Sequence, residues 1–318
     1  MKKIISLLIS LCLVFSIIAF GNVMRVSALT SGDYEYVKLS STTAEITFYN
    51  GTDFDVVIPE YINGLKVVSI GDYCFENASV LSESRITSVT MPNSIISIGR
   101  ESFRKCVNMT YIKLSNSLQV IGESAFWNCG LKSVVIPASC HTIEYGAFEE
   151  CEYLKKAVIY PTTTSIGDQC FNIGLGDWNG NLTIYGKSGS YAHKYAQVKE
   201  IKFKNIYKPS KPAKVSVPVL KSSKKKTVSV KWKKISGVKY KIAYSTSKSK
   251  LAALRSGSIS ASGVKVLDST SVSKNISKLK SKKNYYFKVC AYKTYYNTSD
   301  KTYYVLGSWS STRSIKVK

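Results

Sequence analysis

Cysteine and histidine are the residues of this chain with the widest range of chemistry, and their spacing limits what they can do. The chain has eight cysteines and two histidines. No two cysteines form a C-x-x-C pair, so a zinc site is not expected. The sequence has no phosphate loop or dinucleotide fingerprint either, so no cofactor is expected. His141 directly follows Cys140, which turns the two side chains apart and excludes them as a base and nucleophile pair. A Cys–His hydrolase that pairs Cys151 with His141 or His193 stays open as an alternative.

Six cysteines recur at fixed places in a repeated pattern, which indicates a structural role. They are Cys74 and Cys170, directly before a phenylalanine, Cys106, Cys129 and Cys151, three residues after one, and Cys140, three residues after Pro137. Equivalent positions of stacked units lie at the strand spacing and not in the geometry of a disulfide. We therefore expect small, buried, unbridged side chains.

The elements that must position these cysteines are five copies of one short phrase of the type S-I-G-x-x-x-F. They cover residues 69–75, 97–103, 120–126, 142–148 and 165–171. Their phenylalanines lie 28, 23, 22 and 23 residues apart. A unit of this length cannot bury its own apolar face and must stack on its neighbours, so the sequence predicts a solenoid.

A second motif runs between the copies of the first one. It covers residues 86–92, 109–115, 131–137 and 154–160. Apolar residues stand at its first, fourth and sixth places, and two copies end in proline. This pattern predicts a short strand laid against the core.

The two motifs in fixed order resemble the BspA-like leucine-rich repeats of bacterial surface proteins. The resemblance covers about residues 54–186, with Glu144 and Tyr145 as a departure in the fourth copy and an insertion at 174–180. It implies a cap at 29–53, repeats with a closing cap at 54–207, and adhesion to an extracellular protein or glycan ligand.

The outward side of the predicted strands is the candidate binding surface, because residues beside inward positions face the solvent. These residues are Thr87, Ser88, Thr90, Thr110, Tyr111, Lys113, Lys132, Ser133, Val135, Lys155, Lys156 and Val158. The binding candidates among them are Thr110, Tyr111, Lys113, Lys132, Ser133, Lys155 and Lys156. Aromatic and cationic side chains dominate interface energetics, which favours Tyr111 and the lysines. A solvated sheet without a ligand is the alternative.

The first 28 residues read as a secretory signal peptide. Lys2 and Lys3 precede an apolar run over 4–20, and Val26, Ser27 and Ala28 form a small-residue cleavage site. We therefore expect the chain to be secreted, and then released or held at the cell wall, with no transmembrane segment after cleavage. The C-terminal residues carry no hydrophobic tail or sorting signal.

Charge divides the rest of the chain at a proline-containing linker, residues 208–212. Residues 29–207 hold 15 Lys and Arg against 18 Asp and Glu, whereas residues 208–318 hold 27 against 2. A field of one sign predicts an anionic partner. For an exported chain that partner is an anionic cell-wall polymer rather than nucleic acid. Lysines that only keep the domain soluble are the alternative.

Residues 213–318 alternate like a β-sandwich and resemble fibronectin type III domains. Trp232 matches the buried tryptophan of their second strand, and Tyr285, six residues after Leu279, matches the tyrosine that forms a corner hydrogen bond. The basic outer face is expected to carry Lys239, Lys241, Lys288 and Lys316. Cys290 is expected to point outward as a free thiol.

The sequence therefore predicts a mainly β chain, a leucine-rich repeat solenoid followed by a fibronectin type III-like sandwich. It favours a secreted, non-enzymatic binding protein, with the basic sandwich as a spacer or wall tether. An accessory or weakly active extracellular hydrolase that acts on wall polymers or glycans is the alternative, and a purely structural matrix component is a third possibility.

Overall fold

The computed structural model describes residues 28–76, 85–173, 177–178, 180–254 and 258–318. The predicted signal peptide lies outside this part of the chain, except for Ala28. The fold is mainly β, with one buried core between Tyr36 and Ile201 and a second between Val215 and Val317. Among the described residues, no helix combines the length and apolar character needed to cross a membrane.

The first part of the chain is a solenoid of short strands with one helix. Its elements in chain order are β1 Leu29–Ser31, β2 Tyr34–Lys38, β3 Thr43–Tyr49, β4 Asp55–Val57, β5 Tyr61–Ile62, β6 Leu65–Ile70, β7 Ser88–Thr90, β8 Ser97–Ile98, β9 Tyr111–Lys113, β10 Val120–Ile121, β11 Ser133–Ile136, β12 Thr142–Ile143, β13 Lys156–Ile159, β14 Ser165–Ile166, β15 Asn172–Ile173, β16 Asp177–Trp178, β17 Thr183–Gly186, α1 Tyr191–Val198 and β18 Lys202–Asn205.

These strands form two ladders, one from each sequence motif. The first ladder has the order β1-β2-β3-β6-β8-β10-β12-β14, antiparallel up to β3 and parallel from there on. The second ladder has the order β4-β7-β9, continued by β11-β13-β17-β18, and all of its pairs are parallel. At the junction of its two segments, the Lys132 N–H donates to the Thr110 carbonyl at 3.3 Å. Strands β15 and β16 pair antiparallel in the last repeat, where the sequence has its insertion.

The repeat phenylalanines form one column through the solenoid, as the sequence predicted. Consecutive rings stack at centroid distances of 4.6, 5.2, 5.0 and 5.6 Å from Phe75 to Phe171. Tyr49 and Tyr195 cap the two ends of the column at 5.0 and 6.1 Å. The first, fourth and sixth residues of every second-motif strand are also buried, which confirms the inward positions.

The seven cysteines that the structure describes are all buried thiols. In two central repeats the thiol donates to the carbonyl of the preceding repeat's phenylalanine: Cys129 to Phe103 and Cys151 to Phe126, both at 3.1 Å. Burial raises the pKa of the Cys140 and Cys151 thiols to about 12. Cys129 and Cys151 thus link successive turns of the solenoid as protonated, buried groups.

The second part of the chain is a sandwich of two sheets. Its elements are β19 Val219–Lys221, β20 Val228–Lys231, β21 Lys239–Ser245, α2 Lys248–Ala252, β22 Lys265–Ser269, β23 Ser273–Ile276, β24 Asn284–Tyr296, β25 Thr302–Leu306 and β26 Arg313–Lys316. One sheet has the order β19-β20-β23, and the other has β22-β21-β24-β25 with β26 also paired to β24. The Tyr285 hydroxyl accepts a hydrogen bond from the Lys280 N–H at 3.1 Å, and Trp232 is buried, as expected.

Cys290 is a free thiol, as the sequence indicated, but its outward position does not expose it. Cys290 lies on the outer side of the larger sheet, as its alternation indicated, but it is fully buried. A third apolar cluster, separate from the two cores, covers this side of the sheet. In this cluster Leu251 from α2, Leu254 and Trp309 pack around Cys290. Burial raises the pKa of the Cys290 thiol to about 11.

Candidate functional site

The outward side of the second ladder presents two rows of side chains that run across all seven strands. The first row contains Asp55, Ser88, Tyr111, Ser133, Lys156, Thr183 and Lys202. The second row contains Val57, Thr90, Lys113, Val135, Val158, Tyr185 and Lys204. Parallel pairing in register brings equivalent repeat positions side by side, so each row is a continuous strip of surface.

The N-terminal end of the first row is polar, and its hydrogen-bonding groups pair with one another. The Asp55 carboxylate accepts hydrogen bonds from the Thr87 hydroxyl at 2.9 Å and from the Ser88 hydroxyl at 2.6 Å. These two bonds hold the pKa of Asp55 below its usual value. Thr87 and Ser88 are half-buried, and their hydroxyls are already in use on this strip.

The middle of the strip is open and chemically mixed. Tyr111 and Val135 each keep 53% of their surface exposed, and Lys113 and Ser133 are exposed beside them. With Tyr160 they line a shallow cavity of about 490 Å³. Thr110, Lys132 and Lys155 are also exposed at the edge of the same strands. The Tyr111 ring, the Val135 side chain and the Lys113 cation therefore share one accessible concavity.

The C-terminal end of the strip is covered by this chain's own sandwich. Val158 and Tyr185 face outward, yet they are only 2% and 4% exposed and belong to no part of the solenoid core. The covering element is the hairpin of β24 and β25, whose tip, residues 297–301, we call the docking tip. Asn297 rigidifies the tip, since its side chain accepts from the N–H groups of Ser299 and Lys301 at 3.0 and 2.8 Å.

Polar contacts fix the docking tip on the ladder. Lys156 donates to the Thr298 carbonyl, and the Tyr185 hydroxyl donates to the Asp300 carboxylate. Lys204 forms an ion pair with Asp300 at 2.9 Å. These contacts lower the pKa of Asp300, with the Tyr185 hydrogen bond as the larger cause and Lys204 as the next.

A stack of cations and rings supports the same contact. Lys156 and Lys204 lie over the Tyr185 ring at 5.2 and 5.5 Å, and Lys204 also lies 5.5 Å from the Tyr296 ring. Cation–π contacts of this kind add to binding when the cation is partly desolvated. The ladder face thus already holds one protein segment through its lysines and a tyrosine.

The outward face of the ladder is therefore exposed over a shorter stretch than the sequence indicated. Thr110, Tyr111, Lys113, Lys132, Ser133, Val135 and Lys155 are exposed, and Thr90 is half-buried. Lys156 and Val158 lie on the outward side as expected, but Lys156 contacts the docking tip and Val158 is only 2% exposed. Sequence reasoning missed Tyr185 and Lys204, although Thr183–Gly186 continues the strand motif. Asp300 carried a signal of its own as one of two acidic residues after residue 207.

The basic outer face of the sandwich differs from the expectation at one position. Lys239 and Lys316 are exposed and Lys288 is half-buried, whereas Lys241 is 7% exposed. Lys241 forms an ion pair with Asp268 at 2.7 Å and lies over the Tyr292 ring at 4.8 Å. The charge of Lys241 is thus balanced by Asp268 and enclosed within the fold, so Lys241 is not an accessible cation.

The Cys–His alternative has little geometric support. Cys151 is buried, its thiol is engaged with a carbonyl, and its raised pKa keeps it protonated, whereas a nucleophile must be a thiolate. His193 lies at the start of α1, where its Nδ1 accepts from the Gly189 N–H at 3.0 Å and its ring packs on Phe203. His141 is exposed. Within the described residues, no group of three or more His, Cys, Asp or Glu side chains could hold a metal ion.

Comparison with known proteins gives one family match and several similar structures. Residues 68–174 match the model of the BspA type leucine rich repeat region in six copies. A search of curated proteins gives no match. A leucine-rich repeat protein from T. pallidum is 26% identical, with 50% of this chain and 71% of that chain covered and a TM-score of 0.43.

Two further solved structures are similar over the same region. One is a leucine-rich repeat protein from Bacteroides capillosus, 30% identical, with 45% of this chain and 99% of that chain covered and a TM-score of 0.36. The other is a leucine rich cell surface protein from Faecalibacterium prausnitzii, 22% identical, with 50% and 54% covered and a TM-score of 0.34. With the two ladders and the phenylalanine column in place, the solenoid of this chain belongs to the BspA-type leucine-rich repeats.

Proposed function

We propose that this protein is a secreted, non-enzymatic binding protein of the bacterial cell surface. The open middle of the second ladder, around Tyr111, Lys113, Lys132 and Ser133, captures an extracellular protein or glycan. The basic sandwich acts as a spacer and as a tether to an anionic wall polymer. The observation that carries the proposal is the exposed strip of aromatic, apolar and cationic side chains on a rigid parallel ladder.

The docking tip supports this proposal from within the molecule. It is a protein segment held on the same face, where Lys156 donates to its Thr298 carbonyl and Tyr185 donates to its Asp300 carboxylate. The open strands beside it offer the same residue types, with Tyr111 in the row of Lys156 and Lys113 in the row of Lys204. Rigid ladders lose little conformational entropy on binding, which favours recognition by such a surface.

The test uses the labelled full mature chain on washed bacterial cells and on washed epithelial cells. Replacing Tyr111, Lys113 and Lys132 together by Ala should lower bound protein by about tenfold or more, because hot-spot side chains each contribute on the order of 1–2 kcal/mol. The matched control replaces Tyr153, Lys38 and Lys194 by Ala, which are exposed away from the strip. Equal capture by the two variants would place the ligand site elsewhere.

Export supplies a separate check on the proposed location. Cleavage after Ala28 should give an extracellular chain that begins at Leu29, measurable by N-terminal sequencing of protein from culture medium and from washed walls. Recovery of an uncleaved chain in the membrane fraction would contradict a secreted product.

A further inference from the structure

A second concavity lies at the junction of the solenoid and the sandwich, away from the open strip. Its volume is about 590 Å³. Ser188 and Asn205 from the end of the solenoid line one side, Pro209 of the linker closes another, and the sandwich contributes Lys234, Lys239 and Lys293. The docking tip lies farther along the same hairpin, so the contacts of Asp300 hold the two sides of this cavity in place.

The charge of this cavity is of one sign. Three of its lining residues are lysines and none of them is acidic. Both acidic residues of the segment 208–318 are engaged elsewhere, Asp268 with Lys241 and Asp300 with Lys204. Within the described chain, no carboxylate pairs with any of the three lysines, and Lys293 contacts only the Ser210 hydroxyl, at 3.5 Å. Like charges gathered in a concavity reinforce one another and concentrate a counter-charged ligand.

The composition of the lining indicates which anion fits. Lysine binds phosphate as a compact point charge, without the planar, bidentate geometry with which arginine holds both carboxylates and phosphates. The cavity is lined by lysines without any arginine, and the hydroxyls of Ser236, Thr270 and Thr294 add hydrogen-bonding groups. Its volume exceeds what one phosphate needs and its mouth is open, so a chain of phosphates could pass through it.

We propose that the junction cavity binds a segment of a linear phosphate polymer, with Lys234, Lys239 and Lys293 as its cationic contacts. This assignment rests on the proposed tether function and gives that function a location. It moves the tether from the broad outer face of the sandwich, where Lys241 is enclosed, to a formed site that both parts of the chain build. Of the lysines expected on the outer face, only Lys239 lines this cavity.

The experiment compares two triple variants of the full mature chain that remove the same charge. One carries Lys234→Gln, Lys239→Gln and Lys293→Gln. The other carries Lys225→Gln, Lys248→Gln and Lys265→Gln, which are exposed lysines outside this cavity. The probe is fluorescent long-chain inorganic polyphosphate, with polygalacturonate as a carboxylate comparator, and Kd is measured by anisotropy at about 0.05 and 0.5 M salt. Melting curves of both variants should match the parent chain, because exposed substitutions change stability little.

We expect the cavity variant to raise the Kd for polyphosphate about tenfold or more, and the control variant to raise it about threefold or less. Binding of the parent chain should be lost at high salt, because the exposed charges are screened. Equal weakening by both variants would overturn the cavity while leaving a diffuse electrostatic tether in place. Absence of parent binding at low salt would overturn the tether itself. Equally tight binding of polygalacturonate, with the same response to the variants, would overturn the assignment to phosphate.

Discussion

At the scale of single residues, the solenoid depends on a column of aromatic rings backed by buried thiols. Phe126 stands at its centre, fully buried between Phe103 and Phe148. Its ring contacts a neighbour on both faces, so truncation leaves a cavity that the stacked turns cannot close. Offset stacked rings also gain attraction beyond the area that they bury.

Phe126→Ala should therefore lower the free energy of unfolding by about 3–5 kcal/mol. The measurement is the urea midpoint followed by circular dichroism, with the slope of the transition checked for a change in cooperativity. Tyr153→Ala, which removes a ring that is 61% exposed, is the control and should stay within about 0.5 kcal/mol of the parent. An unmoved transition for Phe126→Ala would contradict the stacked core.

The buried thiols predict a loss of stability at alkaline pH. Burial raises the pKa of Cys140 and Cys151 to about 12 in the folded chain, whereas unfolded thiols lose their protons near 8.5. The folded state thus binds more protons above pH 8.5, and the stabilisation that is complete below this value is lost as the pH rises towards 12. The melting temperature should fall steadily between pH 8.5 and 10.5. A Cys140→Ala and Cys151→Ala chain should show a shallower fall over the same interval.

The sequence predicted correctly on which side of a strand each of these residues lies, but it predicted their solvent exposure less well. The repeat period fixed the inward positions, so Phe126 and the buried cysteines were predictable. The alternation around Cys290 and Lys241 also identified the correct face of the sheet. It could not reveal that α2 and Trp309 cover that face, because cover comes from segments distant in sequence.

At the scale of elements, the ladders require close backbone approach at the glycine of the first motif. A Cβ on Gly122 would lie 2.7 Å from the carbonyl carbon of Gly99 and 2.9 Å from the backbone nitrogen of Arg100. The fourth repeat has Glu144 at this position, where its carboxylate accepts from the Glu123 N–H at 3.0 Å. A side chain is therefore tolerated where the turn is shaped for it, which explains the departure in that copy.

Gly122→Ala should cost about 1–3 kcal/mol, the usual range for overpacking, because both nearest atoms are backbone and cannot move independently of the ladder. The loss should appear as a lower urea midpoint. Gly180→Ala is the matched control, since nothing lies within 4 Å of a Cβ at that position. A similar cost for both substitutions would indicate a chain-entropy effect rather than crowding at Gly122.

The end of the solenoid contains two elements that the repeat motifs did not predict. The sequence predicted a closing repeat around Thr183–Gly186 but neither α1 nor β18. Local signals for the helix were present, because Ser190 caps it by accepting from the His193 N–H at 3.3 Å, and Ala192, Tyr195 and Ala196 are buried at helical spacing. Strand β18 has polar alternation and pairs only because β17 offers a free edge.

At the scale of the whole molecule, the docking tip joins two parts of opposite charge balance. The solenoid segment carries a small acidic excess and the sandwich a large basic one. Yet the contact between them uses an acid of the sandwich and lysines of the solenoid. This inversion argues that the contact is specific, because the overall fields would favour the opposite pairing of signs.

Asp300→Asn should release the docking tip and loosen the sandwich relative to the solenoid. Asparagine keeps the shape of the side chain and an oxygen that can accept from Tyr185, but it removes the charge that pairs with Lys204 and strengthens both contacts. Small-angle X-ray scattering should show a larger maximum dimension and a broader distance distribution, and trypsin should cut faster near the linker. Lowering the pH of the parent chain should reproduce the change only well below pH 4, because the pKa of Asp300 is held below its usual value and the contact is lost as the carboxylate is protonated. Asp33→Asn, an exposed residue in the turn between β1 and β2, is the control and should leave the scattering curve unchanged. Identical curves for the parent and Asp300→Asn would mean that Lys156 and the linker alone hold the two parts together.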